Sequence, residues 1–343
     1  MYIAEISPPA LRGRMVTFNQ LFIVLGIALA FISNLAIVRL PNLHFEWLTT
    51  LHLADWNWRW MLGIGAVPAL IYLFALLWVP ESPRWLAMHG RLDAARRILT
   101  RAHGEAFAEK ELAELHVSLS HETSKSDARL RDLWAPELRG VLLIGILVGV
   151  FQQITGISSV LAYATVIFER AGAGADASFM QTVYVGLVNL VFTVFALLLI
   201  DRFGRRPLLL GGMAGMAACL LLTAYGFSAA DGVINPKVVL AGLLGFVASF
   251  AMSMGPVMWV LFSEIFPNRV RALAISCVGL VNSSVCFVVQ LVFPWQMENM
   301  GGARTFFIYA VFALIGLALL AKMLPETRGR SLEELEESLV RHA

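Results

Sequence analysis

Eight stretches of the chain run apolar for between 17 and 28 residues without a single Asp, Glu, Lys or Arg: residues 15–38, 60–79, 141–168, 179–200, 207–228, 238–262, 272–294 and 305–321. About 20 such residues, rising 1.5 Å each, cross a bilayer core about 30 Å thick. The apolar residues do not alternate with polar ones, as the strands of a membrane barrel would require. The pattern therefore predicts eight transmembrane helices. Between the second and third stretches lies a long polar segment, 81–138. There Gly90 precedes Arg91-Leu-Asp-Ala-Ala-Arg-Arg-Ile-Leu99 with helical apolar spacing, and Glu105 to His121 continues in the same manner. These read as short amphipathic helices rather than a catalytic domain. Pro325 ends the last span, and Ser331 with Glu334 forms a capping-box pattern for a tail helix over 332–340. Met1 leads into Tyr2-Ile3-Ala4-Glu5 without a basic n-region, so no signal peptide is read.

Composition agrees with this reading. Of 343 residues, 58% are hydrophobic and 15% charged, and mean hydropathy is +0.73. A soluble chain is about 25% charged, so an ordinary soluble enzyme, a disordered chain and a nucleic-acid binder are excluded. The formal net charge of +2 argues for no polyanionic partner. Cys219, Cys277 and Cys286 sit in apolar runs without metal-ligand spacing and read as small packing residues. All seven histidines lie outside the spans. No metal site, cofactor or acid–base cluster follows, which points away from an enzyme. Alternating sides from an internal residue 1 puts 21 of the 26 Lys and Arg on one face. By the positive-inside rule that face is cytoplasmic, with both ends of the chain on it.

The chain also repeats itself. Glu5-Ile-Ser-Pro8-Pro-Ala-Leu-Arg12 matches Glu264-Ile-Phe-Pro267-Asn-Arg-Val-Arg271, and each is followed by two spans. Each pair of spans closes on a similar phrase, Pro80-Glu81-Ser-Pro-Arg84 and Pro325-Glu326-Thr-Arg328. Four spans precede the second copy and none the first. The expected parent is a twelve-span protein of two six-span halves, of which eight helices are retained. Parallel repeats of this kind build a transporter fold with its site between the halves. The expected organisation is a remnant of the N-terminal bundle over 1–80, a cytoplasmic linker over 81–138, a six-helix bundle over 139–324 and a tail over 325–343.

Several phrases together resemble the sugar porters of the major facilitator superfamily. They are Tyr2-Ile-Ala-Glu5-Ile-Ser-Pro8 with Arg12-Gly13, Pro80-Glu-Ser-Pro-Arg84-Trp-Leu, Gln152-Gln153-Ile-Thr-Gly156-Ile, Asp201-Arg-Phe-Gly204-Arg205-Arg206, Gly255-Pro256-Val-Met-Trp259 through Glu264-Ile-Phe-Pro267, and Pro325-Glu326-Thr. The likeness is greatest to bacterial proton–xylose symporters. It implies an all-α membrane protein of the major facilitator fold in a bacterial inner membrane. It also implies transport of a monosaccharide by alternating access, with the proton a possible co-substrate and lipid the surroundings. The family's proton-binding acid would lie in the first four spans, so the resemblance does not choose between symport and uniport. A sugar receptor that does not transport, and a fragment without activity of its own, stay open beside it.

Two adjacent glutamines inside a 28-residue apolar run are costly unless they meet a wet cavity or a partner. A neutral sugar, rich in hydroxyls, suits amides that both donate and accept; interhelical amide glue is the other reading. The resemblance makes Gln152 and Gln153 sugar ligands, with Gln20 from the first span, Asn189, Asn282 and the aromatic platform Trp259. Ser158 stands where the family has Asn, and Ala162 replaces one of two tandem tyrosines, leaving Tyr163. Ser283, Cys286 and Ala251 replace further polar or aromatic groups of the family. Charges gather at the cytoplasmic ends of the spans: Glu5, Arg12, Glu81, Arg84, Asp201, Arg205, Glu264 and Arg271. Acid and base alternate, as a latch between bundles needs; interfacial anchoring is the alternative.

Overall fold

The structure is a computed structural model. It describes residues 9–43, 52–53, 55–105, 108–109, 112–113, 130–228, 234–267 and 270–324. The phrase around Glu5, the segment 114–129 and the tail helix expected over 332–340 lie outside the described residues. Every described element is helical, and eight candidate membrane spans are present. In chain order the α-helices are α1 Pro9–Arg39, α2 Asn57–Gly63, α3 Ala66–Leu76, α4 Pro83–Met88, α5 Leu92–His103, α6 Pro136–Ile154, α7 Ile157–Ala162, α8 Ala164–Arg170, α9 Ala175–Phe203, α10 Arg205–Phe227, α11 Pro236–Met252, α12 Pro256–Ile265, α13 Arg271–Asn299 and α14 Gly301–Met323.

Three stretches expected as continuous spans are interrupted, each for a local reason. The second span divides at Ile64 and Gly65 into α2 and α3. Pro68 has no N–H for the Ile64 carbonyl, which accepts Val67 N–H at 3.1 Å instead. The third span divides into α6, α7 and α8, with Gly156 in the left-handed region at φ +86°. The sixth span divides into α11 and α12. There Pro256 lacks the N–H that would have met Met252 O, and the helix stops at Met252. By contrast, Pro294 is carried inside the unbroken α13.

The chain separates into two units. Met1–Phe22 with Asp55–Asp127 form the first, and Ile23–Ala54 with Ala128–Ala343 the second. In the first, α2 and α3 bury none of their residues. Ser82 caps α4 by accepting Trp85 N–H. On α5, Ala95 and Leu99 turn inward, while Arg96 on the outer face bonds Glu109 at 2.8 Å and Glu105 at 3.3 Å. The amphipathic spacing read over 91–99 is therefore realised as helix, while most of the stretch from Glu105 to His121 lies outside the described residues.

The second unit holds the main core. α10 packs on α11 and α14, α9 on α11, and α6 on α13 and α14. Lipid tails are as apolar as Leu, so such contacts depend on close approach rather than water exclusion. Gly215 allows it on α10: a Cβ there would fall 2.6 Å from Ser249 Oγ of α11. The later part of α1 belongs to this unit, with Ala28 and Phe31 against Gly186 of α9. The pair Arg39–Asp176 at 3.5 Å lies at the end of that contact. The three cysteines are half-buried rather than fully enclosed.

Candidate functional site

The break after α6 creates the site. Gly156 N–H turns back to Gln153 O at 2.9 Å. The Gln152 carbonyl is then met by a side chain, Thr155 Oγ1, at 3.1 Å. Gly156 is required twice over. Its positive φ suits no residue with a Cβ, and a Cβ would strike the Tyr309 ring of α14. Tyr309 in turn donates to Gln296 Oε1 at 2.8 Å. A second break, the Ser253–Met254–Gly255 turn, faces this one. Gly255 N–H bonds Phe250 O at 3.1 Å and Val257 N–H bonds Ser253 O at 3.0 Å. The Met254 carbonyl accepts Gln152 Nε2 at 3.0 Å.

From that anchor a cluster of side chains builds outward. Asn282, eleven residues into α13, donates through Nδ2 to Gln152 Oε1 at 2.7 Å and to Gly149 O at 2.9 Å. Gln153 Nε2 donates to Gln152 Oε1 at 3.2 Å and toward Asn282 Oδ1 at 3.4 Å. Ser158 Oγ donates to Gln153 Oε1 at 2.6 Å. Four of the seven sugar-site residues expected from the sequence are thus joined in one hydrogen-bonded cluster. Gln152 and Asn282 are buried, at 5% and 8% exposure. Gln153 and Ser158 are half-buried and form the accessible side. The cluster is uncharged, can donate and accept, and lies among apolar helices, which is the chemistry a neutral polyol needs.

The other three stand apart. Asn189 is buried on α9 at 4% exposure, with no hydrogen bond to the cluster. Trp259 lies on α12, 45% exposed, with its ring edge-on to Phe262 at 6.0 Å. Its half-helix begins just past the Met254 carbonyl that Gln152 holds. Gln20 is on α1, half-buried, in the first unit.

Of the eight expected gate charges, the structure joins two as a pair. Arg205 donates to Glu264 Oε1 from Nη2 at 2.8 Å and from Nε at 3.1 Å, with side chains 14% and 27% exposed. The same guanidinium caps Ile200 O at 3.2 Å. This pair lies within the second unit. Arg271 Nε donates to Phe266 O at 3.1 Å. Glu81 is exposed. Glu5 and the side chains of Arg12, Arg84 and Asp201 lie outside what the structure describes.

Sequence reading missed two participants. One is the Met254 carbonyl; Gly255-Pro256 signalled a helix break there but not which carbonyl the turn would present. The other is Tyr309, for which Gly156 signalled only that something approaches closely.

Comparison with known proteins places this geometry. A family model described as "Sugar (and other) transporter" matches residues 1–339. The arabinose-proton symporter of Bacillus subtilis is 40% identical over 338 residues, covering 98% of this chain and 70% of the relative. The D-xylose-proton symporter of Escherichia coli K12 is 38% identical over 344 residues, covering 98% and 67%. Among solved structures, a partially occluded, inward-open form of the E. coli xylose transporter superposes with a TM-score of 0.79 at 34% identity. That match covers 97% of this chain and 68% of the other. The major facilitator proton:xylose symporter XylE bound to 6-bromo-6-deoxy-D-glucose gives 0.74 at 36%, covering 98% and 69%. The chain thus spans about seven-tenths of the length of these relatives.

Proposed function

The chain belongs to the sugar (and other) transporter family, whose members are secondary carriers rather than enzymes, and we propose that it carries a monosaccharide, a pentose or hexose, across a membrane together with a proton. The single observation that supports a sugar is the neutral amide cluster of Gln152, Gln153, Asn282 and Ser158 at the helix breaks. Charged or metal-centred chemistry would need other groups. The relatives named as arabinose- and xylose-proton symporters support the class of substrate and the coupling ion.

In this reading the sugar lies against Gln153 and the Trp259 face, with Asn189 and Gln20 supplying further polar contacts. Hydroxyl groups exchange water for the amides, and the apolar body of the ring packs on the indole. Alternating access moves this site between faces by rocking two bundles. The eight spans correspond to the later two-thirds of a twelve-span carrier. The repeated Glu5 and Glu264 phrases support this, as does an α2–α3 span that buries none of its residues. Arg205–Glu264 belongs to the cytoplasmic latch, and both chain ends lie on the cytoplasmic side of the inner membrane. The residual charges of the ring supply the latch partners.

The test is uptake of radiolabelled D-xylose, L-arabinose and D-glucose into proteoliposomes under an inward proton gradient. It uses the 343 residues alone, and the same residues joined to the part of the Bacillus subtilis relative that lies outside the match. Saturable uptake in the joined form, abolished by a protonophore, is expected. Uptake by the 343 residues alone would remove the twelve-span reading. Well-folded protein that neither binds nor moves any of the three sugars in either form would remove the carrier reading.

A further inference from the structure

Asn282 is not built as the sugar contacts are. A side-chain amide has two N–H donors and one carbonyl. Both donors of Asn282 are engaged inside the protein, on Gly149 O at 2.9 Å and Gln152 Oε1 at 2.7 Å. Its carbonyl faces Gln153 Nε2 at 3.4 Å. The orientation of the whole set follows from its two backbone ends. Gly149 O and Met254 O are carbonyls and can only accept, so Asn282 must present nitrogen to the first and Gln152 nitrogen to the second. Gln152 Oε1 is then turned toward Asn282 and accepts twice, from Asn282 and from Gln153. Asn282 is 8% exposed and Gln152 5%, whereas Gln153 and Ser158 are more open.

We infer that Asn282 is a positioning residue: by bracing α13 against Gly149 and Gln152 of α6, it fixes which way the tandem glutamines present their donors and acceptors, without itself touching the sugar. This rests on the reading of the cluster as a monosaccharide site. It assigns the sugar-facing role to Gln153 with Ser158. Ser158 has given its only hydrogen to Gln153 Oε1, so its oxygen meets the ligand as an acceptor. Gln153 has both N–H groups directed into the cluster. The face offered to a ligand is therefore rich in acceptors and suited to sugar hydroxyls that donate.

The experiment uses the purified joined form described above with Asn282→Leu, which keeps the side chain's branched shape and removes its polar atoms, together with Gln152→Ala and the double variant. Two quantities are read: the thermal unfolding midpoint without sugar, and equilibrium binding of D-xylose and its 2-, 3- and 4-deoxy analogues. Asn282→Leu should weaken xylose binding about tenfold while leaving the ratio between xylose and each deoxy analogue unchanged. The double variant should bind within about twofold of Gln152→Ala, because residues that act through one bond are not additive. The midpoint losses of the two single variants should likewise exceed what the double variant loses beyond either. Collapse of the preference for one hydroxyl in Asn282→Leu alone would make Asn282 a ligand and overturn the inference. So would losses that multiply to about a hundredfold, or midpoints that simply add. If no form binds D-xylose, L-arabinose or D-glucose yet the midpoints are coupled, the brace stands and the monosaccharide reading falls.

Discussion

Gln153 is the member of the cluster that combines partial exposure with a hydrogen bond from a neighbouring hydroxyl. Replacing it with Ala removes the sugar-facing carbonyl and leaves Ser158 without its acceptor. A lost hydrogen bond between neutral groups costs about 0.5–1.5 kcal/mol, and an orphaned buried partner adds about 1–3 kcal/mol. Gln153→Ala should therefore weaken sugar binding at least about tenfold, while the chain inserts normally. The same change at Gln181, half-buried near the start of α9, should have little effect. Equal small losses at both positions, measured by radiolabelled sugar binding, would reduce the tandem amides to packing. Gly156→Ala should be harsher for the fold than for chemistry. A left-handed residue with a Cβ costs about 1–2 kcal/mol, and the new methyl meets the Tyr309 ring. A lowered unfolding midpoint that Tyr309→Ala restores only in part is expected; full restoration would mean the backbone carries no strain. At this scale the sequence was legible where chemistry is local. Paired glutamines in an apolar run announce buried polar contacts, which the structure forms. What the glutamines hold was not legible, since Met254 and Asn282 lie 102 and 130 positions away from Gln152.

Spans were readable as elements because twenty apolar residues have few other uses. Their inner faces were not. A helix that is apolar all round, facing lipid on one side and neighbours on the other, has no polar stripe to mark the core. Glycines placed at the crossing of α10 and α11 carry that information instead, but they read in sequence only as small residues. The breaks were not anticipated: the residues that cause them, Gly156, Gly255-Pro256 and Pro68, stand inside runs that hydropathy reads as continuous spans. Among the charges, Arg205 and Glu264 join the start of α10 to the end of α12. Their side chains are mostly enclosed, so the pair should be coupled by about 1 kcal/mol or more, above the range of an exposed pair. Thermal melts of Arg205→Ala, Glu264→Ala and the double variant give this coupling directly. Purely additive losses would make the contact an anchoring coincidence rather than a brace between α10 and α12.

At the scale of the molecule, the proposed orientation makes a simple claim about access. It follows from 21 of 26 Lys and Arg falling on one side of eight spans, and it assigns α5 to the cytoplasm and the start of α9 to the outer face. In a background lacking Cys219, Cys277 and Cys286, single cysteines at Arg97 and at Ala175, both exposed, distinguish the two sides. An impermeant thiol reagent applied to intact cells should label position 175 and spare 97 until the membrane is opened. The reverse pattern would invert the topology. The number of spans was legible at this scale, because span length and hydropathy need no knowledge of packing. The division of the chain at Phe22 and Ile23, inside the continuous α1, had no counterpart in the sequence pattern, because hydropathy records a span and not which neighbours it keeps.

The interrupted third and sixth spans also set an electrical character for the place where they meet. Peptide dipoles leave about half a positive charge at a helix N-terminus and half a negative charge at a C-terminus. The C-terminal turn of α6 carries Gln152, and the N-terminal turn of α12 follows Met254, so the bond between Gln152 and Met254 brings a negative pole to a positive one. Each break also sets a helix C-terminus beside the next N-terminus, α6 before α7 and α11 before α12, so every negative pole at the site has a positive one next to it. The pocket is left polar but without a net sign, deep in a medium that penalises unbalanced charge. A neutral polyol entering it meets no electrostatic cost, whereas the carboxylate of D-glucuronate or the ammonium of D-glucosamine finds no opposing pole. Neither should compete with xylose at concentrations where glucose or arabinose does; competition by either in a binding assay would mean that an uncancelled pole faces the pocket.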